Sequence, residues 1–445
     1  MAEPPSKRPG DDSGDDDNQQ NPFAGTPFEQ IFAAFGGGAG AGGSGAPDFS
    51  ALLQQVQQMF TPYEGTVNWR LAKDTARSTV AQQADPSPAP SDHAAVDAAV
   101  RLADLWLDTA CTFAAAGGRA VAWSRAEWVE ATMGAWQEVV EPMAGHLTGA
   151  MQKAIPQEAA AMAGPMMGML SQAGGSMFGA QVGQGVGALA GEVLSSTDIG
   201  IPLTDGSHTA LVLANARAFA EGLDVDESDV LLYLALRECA HQRLFHHVPW
   251  LRSHLMGAVE DYGRGLTIDL SRIEEAMGSL DPSNLEAMQE ALSGGLFVPE
   301  ETEAQRAALQ RLETALALVE GWVDDVVGQA TRDRMPAAGK LQEAVRRRRA
   351  AGGPAEQTFA SLVGLELRPR RLRDAAALWG ALRSVKDLDA RDAVWAHPDL
   401  LPTSADLDDP LGFSAGDDDG ETATTDAEFD AALEALLSRE DEPDQ

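Results

Sequence analysis

Five consecutive residues, Arg237-Glu-Cys-Ala-His241, hold the strongest chemical signal in the chain. In a zinc-binding helix of the form H-E-x-x-H, the histidines at i and i+4 share one face and grip one ion. The glutamate beside the first histidine activates the bound water. Here Glu238 stands at the position of the catalytic base and His241 at the second ligand, while Arg237 stands at the first. A guanidinium is always protonated and has no lone pair to give a metal. E-x-x-H by itself is a weak signal, because chance supplies it often.

The flanking residues place this motif on a helix of about 228–245. Asp224-Val-Asp-Glu-Ser-Asp229 offers capping and acidic side chains for its positive end, and Pro249 marks its end or a kink. The aliphatic and β-branched run Thr209–Leu213 is the best strand in the chain. Helical spacing recurs at 51–60, after Val67-Asn-Trp69, throughout 93–145, and over 299–327, 341–350, 358–365 and 371–385. Trp106, Trp123, Trp128 and Trp136 read as core knobs.

Residues 159–191 contain no charge, and glycine recurs at 175, 179, 183, 187 and 191. That period lines the glycines along one helix face. A transmembrane segment and a buried helix closely approached by another both fit the length. Gln172, Gln181, Gln184, Ser171 and Ser176 favour the buried helix.

Arg237-Glu-Cys-Ala-His-Gln-Arg-Leu-Phe245, followed by Val248-Pro-Trp-Leu-Arg252, resembles the zincin-like metallopeptidase type 2 family. These are bacterial proteins to which hydrolase activity is ascribed, and some are associated with cofactor-biosynthesis genes. Similar segments occur in order at Val67–Trp69, Gly134–Pro142, Ala317–Val326, Leu362–Leu367 and Val394–Pro402, so the resemblance spans about 66–411. It implies a zincin-like fold, mainly α with a small β element. An edge strand would lie over a cleft, beside an active-site helix and a third metal ligand from a later helix. By likeness to zincins whose last ligand is a glutamate, Glu320 is the candidate. Asp324, one turn on, would accept from His241 and orient its ring. The competing reading of both carboxylates is a solvated helix face.

Zinc would then be left with His241 and Glu320, below the usual three protein ligands of a catalytic site. His246 and His247 point away from the face of His241 and read as a helix-end pair, while His254 and His208 are further substitutes. Alternatively, the Arg237 guanidinium takes part of the metal's place through charge-assisted bonds to Glu238 or Glu320. On that reading, Arg237→His gains zinc affinity.

Acidic residues outnumber basic ones 68 to 32, a formal charge of −36, which argues against nucleic acid as partner. Cys111 and Cys239 form no C-x-x-C unit, so neither disulfide framework nor thiolate zinc site is expected. Arg346-Arg-Arg-Arg349, with Arg368, Arg370, Arg371 and Arg373, reads as a solvated basic face or a dock for acidic tails. No second E-x-x-H completes a di-iron set, and no phosphate loop or G-x-S-x-G occurs.

The expected organisation is a disordered glycine-rich acidic tail (1–47), a helical domain (48–404) and a disordered acidic tail (405–445). Short apolar patches lie at 23–35 and 429–437 in these tails. The first residues have no apolar signal core, and a cytoplasmic protein is expected. The functional expectation is a zincin-family protein with a degenerate metal motif, inactive or weakly active, binding an unidentified peptide or protein. The alternatives are a working zinc-dependent metallopeptidase with Glu238 as general base, and a membrane-associated or scaffold interaction protein.

Overall fold

Asn68 opens the first helix of the fold: its side chain accepts from the Leu71 amide at 3.0 Å, capping α1 (Trp69–Ala81). The computed structural model describes residues 63–154, 164–264, 302–350 and 371–415. Those residues are mainly helical, with one two-stranded sheet among them. The segments 23–35, 51–60, 358–365 and 429–437, the expected tail 1–47, and the part of the expected tail 405–445 beyond 415 lie outside them.

After α1 come α2 (Pro90–Leu107), strand β1 (Arg119–Trp123) and the long α3 (Arg125–Ala154). The expectation of unbroken helical pattern from 93 to 145 is therefore corrected, because β1 interrupts it. Gly117 takes a positive φ of 75°, and a Cβ on Gly118 would come within 3.1 Å of the Gly206 carbonyl. This pair of glycines turns the chain and lets β1 approach its neighbour. Val121, Ala122 and Trp123 are all buried, so the strand shows no alternation to read.

The uncharged stretch forms α4 (Gly164–Ala190), which packs along α1. Side chains on Gly175, Gly179, Gly183 and Gly187 would collide with Tyr63, Asn68, Ala72 and Ala76 respectively. The glycine face is thus a seam that seats α1, the buried-helix arrangement. None of the described helices is long and apolar enough to cross a membrane.

β2 (His208–Val212) starts one residue before the expected strand and runs parallel to β1, with Arg119 opposite His208 and Trp123 opposite Val212. Its other side is occupied as well. Ser196 N donates to Ala210 O at 3.1 Å, and Val212 N donates to Leu194 O at 2.9 Å. In the two-stranded sheet β2 is an edge strand, as expected, and these two bonds cover part of its outer side. The irregular segment 194–198 has folded in beside it.

The short α5 (Leu213–Ala220) leads to α6 (Glu227–His247), the helix carrying the motif. Asp226 is its N-cap without a side-chain bond, and acidic Glu227 and Asp229 lie in its first turn. Pro249 opens a new helix, α7 (Pro249–Arg264), where its missing N–H costs nothing. α8 (Glu303–Thr331) begins with a reciprocal cap: Gln305 N donates to Thr302 Oγ1 at 3.1 Å, and Thr302 N donates to Gln305 Oε1 at 2.9 Å. α9 (Ala338–Ala350), α10 (Leu372–Val385), α11 (Leu388–Ala393) and α12 (Pro410–Ala415) follow. Trp128 and Trp136 are fully buried in the core, while Trp106 is half-buried.

Candidate functional site

α6 runs through the middle of the core, and every residue from Leu232 to Leu244 is buried. Its polar side chains must therefore find partners inside the protein. They do so in two separate groups, because Arg237 and His241 share one face while Glu238 is turned about 100° away.

The first group is a network of ions. Arg237 Nη2 donates to Glu320 Oε2 of α8 at 2.6 Å, and His241 Nε2 lies 3.0 Å from Glu320 Oε1. The other ring nitrogen of His241, Nδ1, lies 2.9 Å from the Arg237 carbonyl. Both nitrogens thus face oxygen atoms of the protein. From α9, Arg349 Nη2 reaches the same Glu320 Oε1 at 2.8 Å. Gly321, next to Glu320, lets α10 close against this part of α8, where a Cβ would come within 2.6 Å of Ala375.

Three cationic or hydrogen-bonding partners on one buried carboxylate have a clear electrostatic effect. Burial would raise the Glu320 pKa, but Arg349, His241 and Arg237 overcome that and lower it to about 2. Asp198, between α4 and β2, behaves likewise: burial opposes ionisation, while Arg348 and Arg349 hold its pKa below the ordinary carboxylate range. Arg348 Nη1 donates to Asp198 Oδ2 at 2.9 Å.

Asp324 does not orient His241, and the expectation is corrected. It accepts from Gln342 Nε2 at 2.9 Å and Arg346 Nη2 at 2.5 Å, with Arg237 Nη1 3.9 Å away. One turn along α8 from Glu320 is the right phase, but α9 packs on that side and supplies the donors. The same contacts correct the solvated-face reading for Arg346, Arg348 and Arg349, whereas Arg371 of the same basic zone pairs with Asp408 in the expected acidic tail. Arg346, Arg348 and Arg349 point into the ion network, and Arg347 pairs with Glu343 on the surface.

The second group surrounds Glu238, which is completely buried. Its carboxylate accepts from Ser196 Oγ, from Thr197 Oγ1 at 2.6 Å, from Thr197 N at 3.1 Å and from Gln242 Nε2 at 2.8 Å. Glu238 thus bonds the loop beside β2, and Arg237 pairs with Glu320 instead. Beyond this cage opens a cleft of about 700 Å³, whose wall includes Thr197, Gln242, Trp123, His208, Phe245 and His246. The bonding partners of Glu238 stand between it and that cleft.

The substitute histidines are engaged elsewhere. His208 contacts Ser207 Oγ at 2.7 Å, and His247 lies 3.0 Å from the Ala114 carbonyl and stacks on Phe113. His254 packs edge-on against Trp250, and His246 lines the cleft. Cys239 is buried, and burial pushes its thiol well above the usual range, so it is no ready thiolate. Ser196, Thr197, Asp198, Gln242 and Arg349 are the site residues that the sequence did not reveal. Gln242, one helical turn after Glu238, had a spacing that could have marked it, whereas Ser196, Thr197, Asp198 and Arg349 have no such relation to Glu238 or Glu320.

The family model for zincin-like metallopeptidases matches residues 67–413. The chain belongs to that family. Among solved structures, this zincin-like protein resembles a Chloroflexus aurantiacus protein described as a "putative hydrolase with a novel fold", with a TM-score of 0.56 and 18% sequence identity. The match covers 78% of this chain and 98% of the other, and at that identity it speaks for the fold alone. No curated protein matches the chain.

Zinc is the ion the family name implies, and the donor set does not fit it. Arg237 replaces a lone-pair donor with a cation, and both oxygens of Glu320 already bind cationic or N–H donors. Among the described residues, no group of three His, Cys, Asp or Glu side chains is arranged to hold a metal.

Proposed function

We propose that this zincin-family protein uses an arginine–carboxylate network where its relatives' name implies a metal, and that it serves as a peptide- or protein-binding scaffold. Zinc hydrolysis is then lost or weak. One observation carries the reading: the 2.6 Å contact of Arg237 with Glu320 puts a fixed positive charge at the first-ligand position of the motif. That contact joins α6 to α8, the two helices an ion would otherwise bridge.

The rival reading, a working metallopeptidase, requires Glu238 to take a proton from a metal-bound water. Four protein donors already fill its two oxygens. The membrane reading needs an open glycine face, and α1 covers that face.

Metal content per chain tests the proposal. Protein purified without added zinc is expected to carry well below one zinc per chain and to leave unfolded casein uncut. Stoichiometric zinc that disappears in His241→Ala would overturn it.

A further inference from the structure

We propose that Arg349 is a second specificity-determining residue of this site, which denies Glu320 to a metal ion independently of Arg237. The inference rests on the metal-free reading above and extends it to a different helix. The two oxygens of Glu320 are divided between two arginines. Oε2 takes Arg237 from α6, and Oε1 takes Arg349 from α9 at 2.8 Å.

His241 Nε2 lies 3.0 Å from that same Oε1. Two donors each about 2.0–2.1 Å from a tetrahedral zinc stand a little over about 3 Å apart. The imidazole and carboxylate are therefore spaced much as a pair of ligands would be. What separates them from that role is the cation already bonded to the shared oxygen. A dication entering there would meet the Arg349 guanidinium before it met a free lone pair.

Arg349 is also fastened without help from Arg237. It donates to the Asp198 carbonyl and lies 3.8 Å from the Asp198 carboxylate. Its neighbour Arg348 bonds Asp198 Oδ2 at 2.9 Å and the Glu192 carbonyl at 2.5 Å. Leu341 and Val345, both buried, anchor the rest of α9. Replacing Arg237 thus leaves the second plug seated. Restoring H-E-x-x-H by Arg237→His supplies a ligand but does not vacate Oε1, so the gain expected from the motif alone is incomplete.

The test is calorimetric titration with zinc chloride of four full-length proteins: native, R237H, R349A and R237H/R349A. Circular dichroism melting establishes that each is folded. The native protein and both single variants are expected to take up no stoichiometric zinc. The double variant is expected to bind one zinc at least 100-fold more tightly than R237H. Should alanine at 349 unfold the chain, R349Q and R237H/R349Q are titrated against the same criterion. An R237H affinity within tenfold of the double variant, or no binding by the folded double variant, overturns the role of Arg349. Stoichiometric binding by the native protein instead overturns the metal-free reading on which it rests.

Discussion

Arg237 on α6 and Glu320 on α8 meet at 2.6 Å, with 6% and 1% of their surfaces exposed. Taking two such charges out of water is costly, and their mutual attraction recovers it only when further hydrogen bonds complete the shell. His241 and Arg349 complete it on the carboxylate side.

Removing one partner should therefore be expensive. Arg237→Met keeps the stem volume but leaves Glu320 with one fewer cation, and is expected to destabilise the fold by about 3 kcal/mol. Urea unfolding monitored by circular dichroism measures this. A change under about 0.5 kcal/mol, the scale of a surface substitution, would refute a buried structural role.

Glu238→Gln separates the two readings of that side chain. A caged carboxylate accepts from four donors, and the amide presents an N–H to one of them. The expected loss is roughly 1–3 kcal/mol of stability. Thermal melting checks it, and an unchanged melting temperature would contradict the cage.

Acid titration follows from the depressed Glu320. With a folded pKa of about 2 against an ordinary 4.5, its contribution is fully present above about 4.5 and fades as pH falls towards 2. In Arg349→Ala the largest favourable influence on that carboxyl is gone, so its pKa rises and the acid-unfolding midpoint should move to higher pH. Tryptophan fluorescence against pH reads the shift; an unmoved midpoint counts against the coupling.

The seam between α1 and α4 gives a test with an internal control. A Cβ at Gly179 would come within 2.6 Å of the Asn68 carbonyl, whereas at Gly134, in α3, nothing lies within 4 Å. Gly179→Ala should destabilise by roughly 1–3 kcal/mol through overpacking. Gly134→Ala should be neutral or stabilise by up to about 1 kcal/mol. Equal effects from both would refute the close approach.

Much of the frame was legible because it is periodic. The motif helix, the strand near 209, the glycine face of α4 and the carboxylates on a later helix all follow from spacing or from the family resemblance. Apart from Gln242, one turn after Glu238, what escaped was aperiodic. Ser196, Thr197 and Asp198 sit in an irregular segment with no repeat of its own, so nothing local marks them as partners of Glu238 and Arg348. The arginine run misled for a related reason. Four consecutive cations look solvated until distant carboxylates are placed beside them, and that placement depends on how α9 docks.

The 194–196 segment and β1 flank β2 on its two sides, and on the side away from β1 the carbonyl of Ala210 and the amide of Val212 are already taken. An extended chain could not pair with β2 between Ala210 and Val212 without displacing that segment. At that stretch, contact with a guest would fall to side chains, which read shape and charge, rather than to the sequence-blind main-chain pairing by which many sheets hold a guest strand.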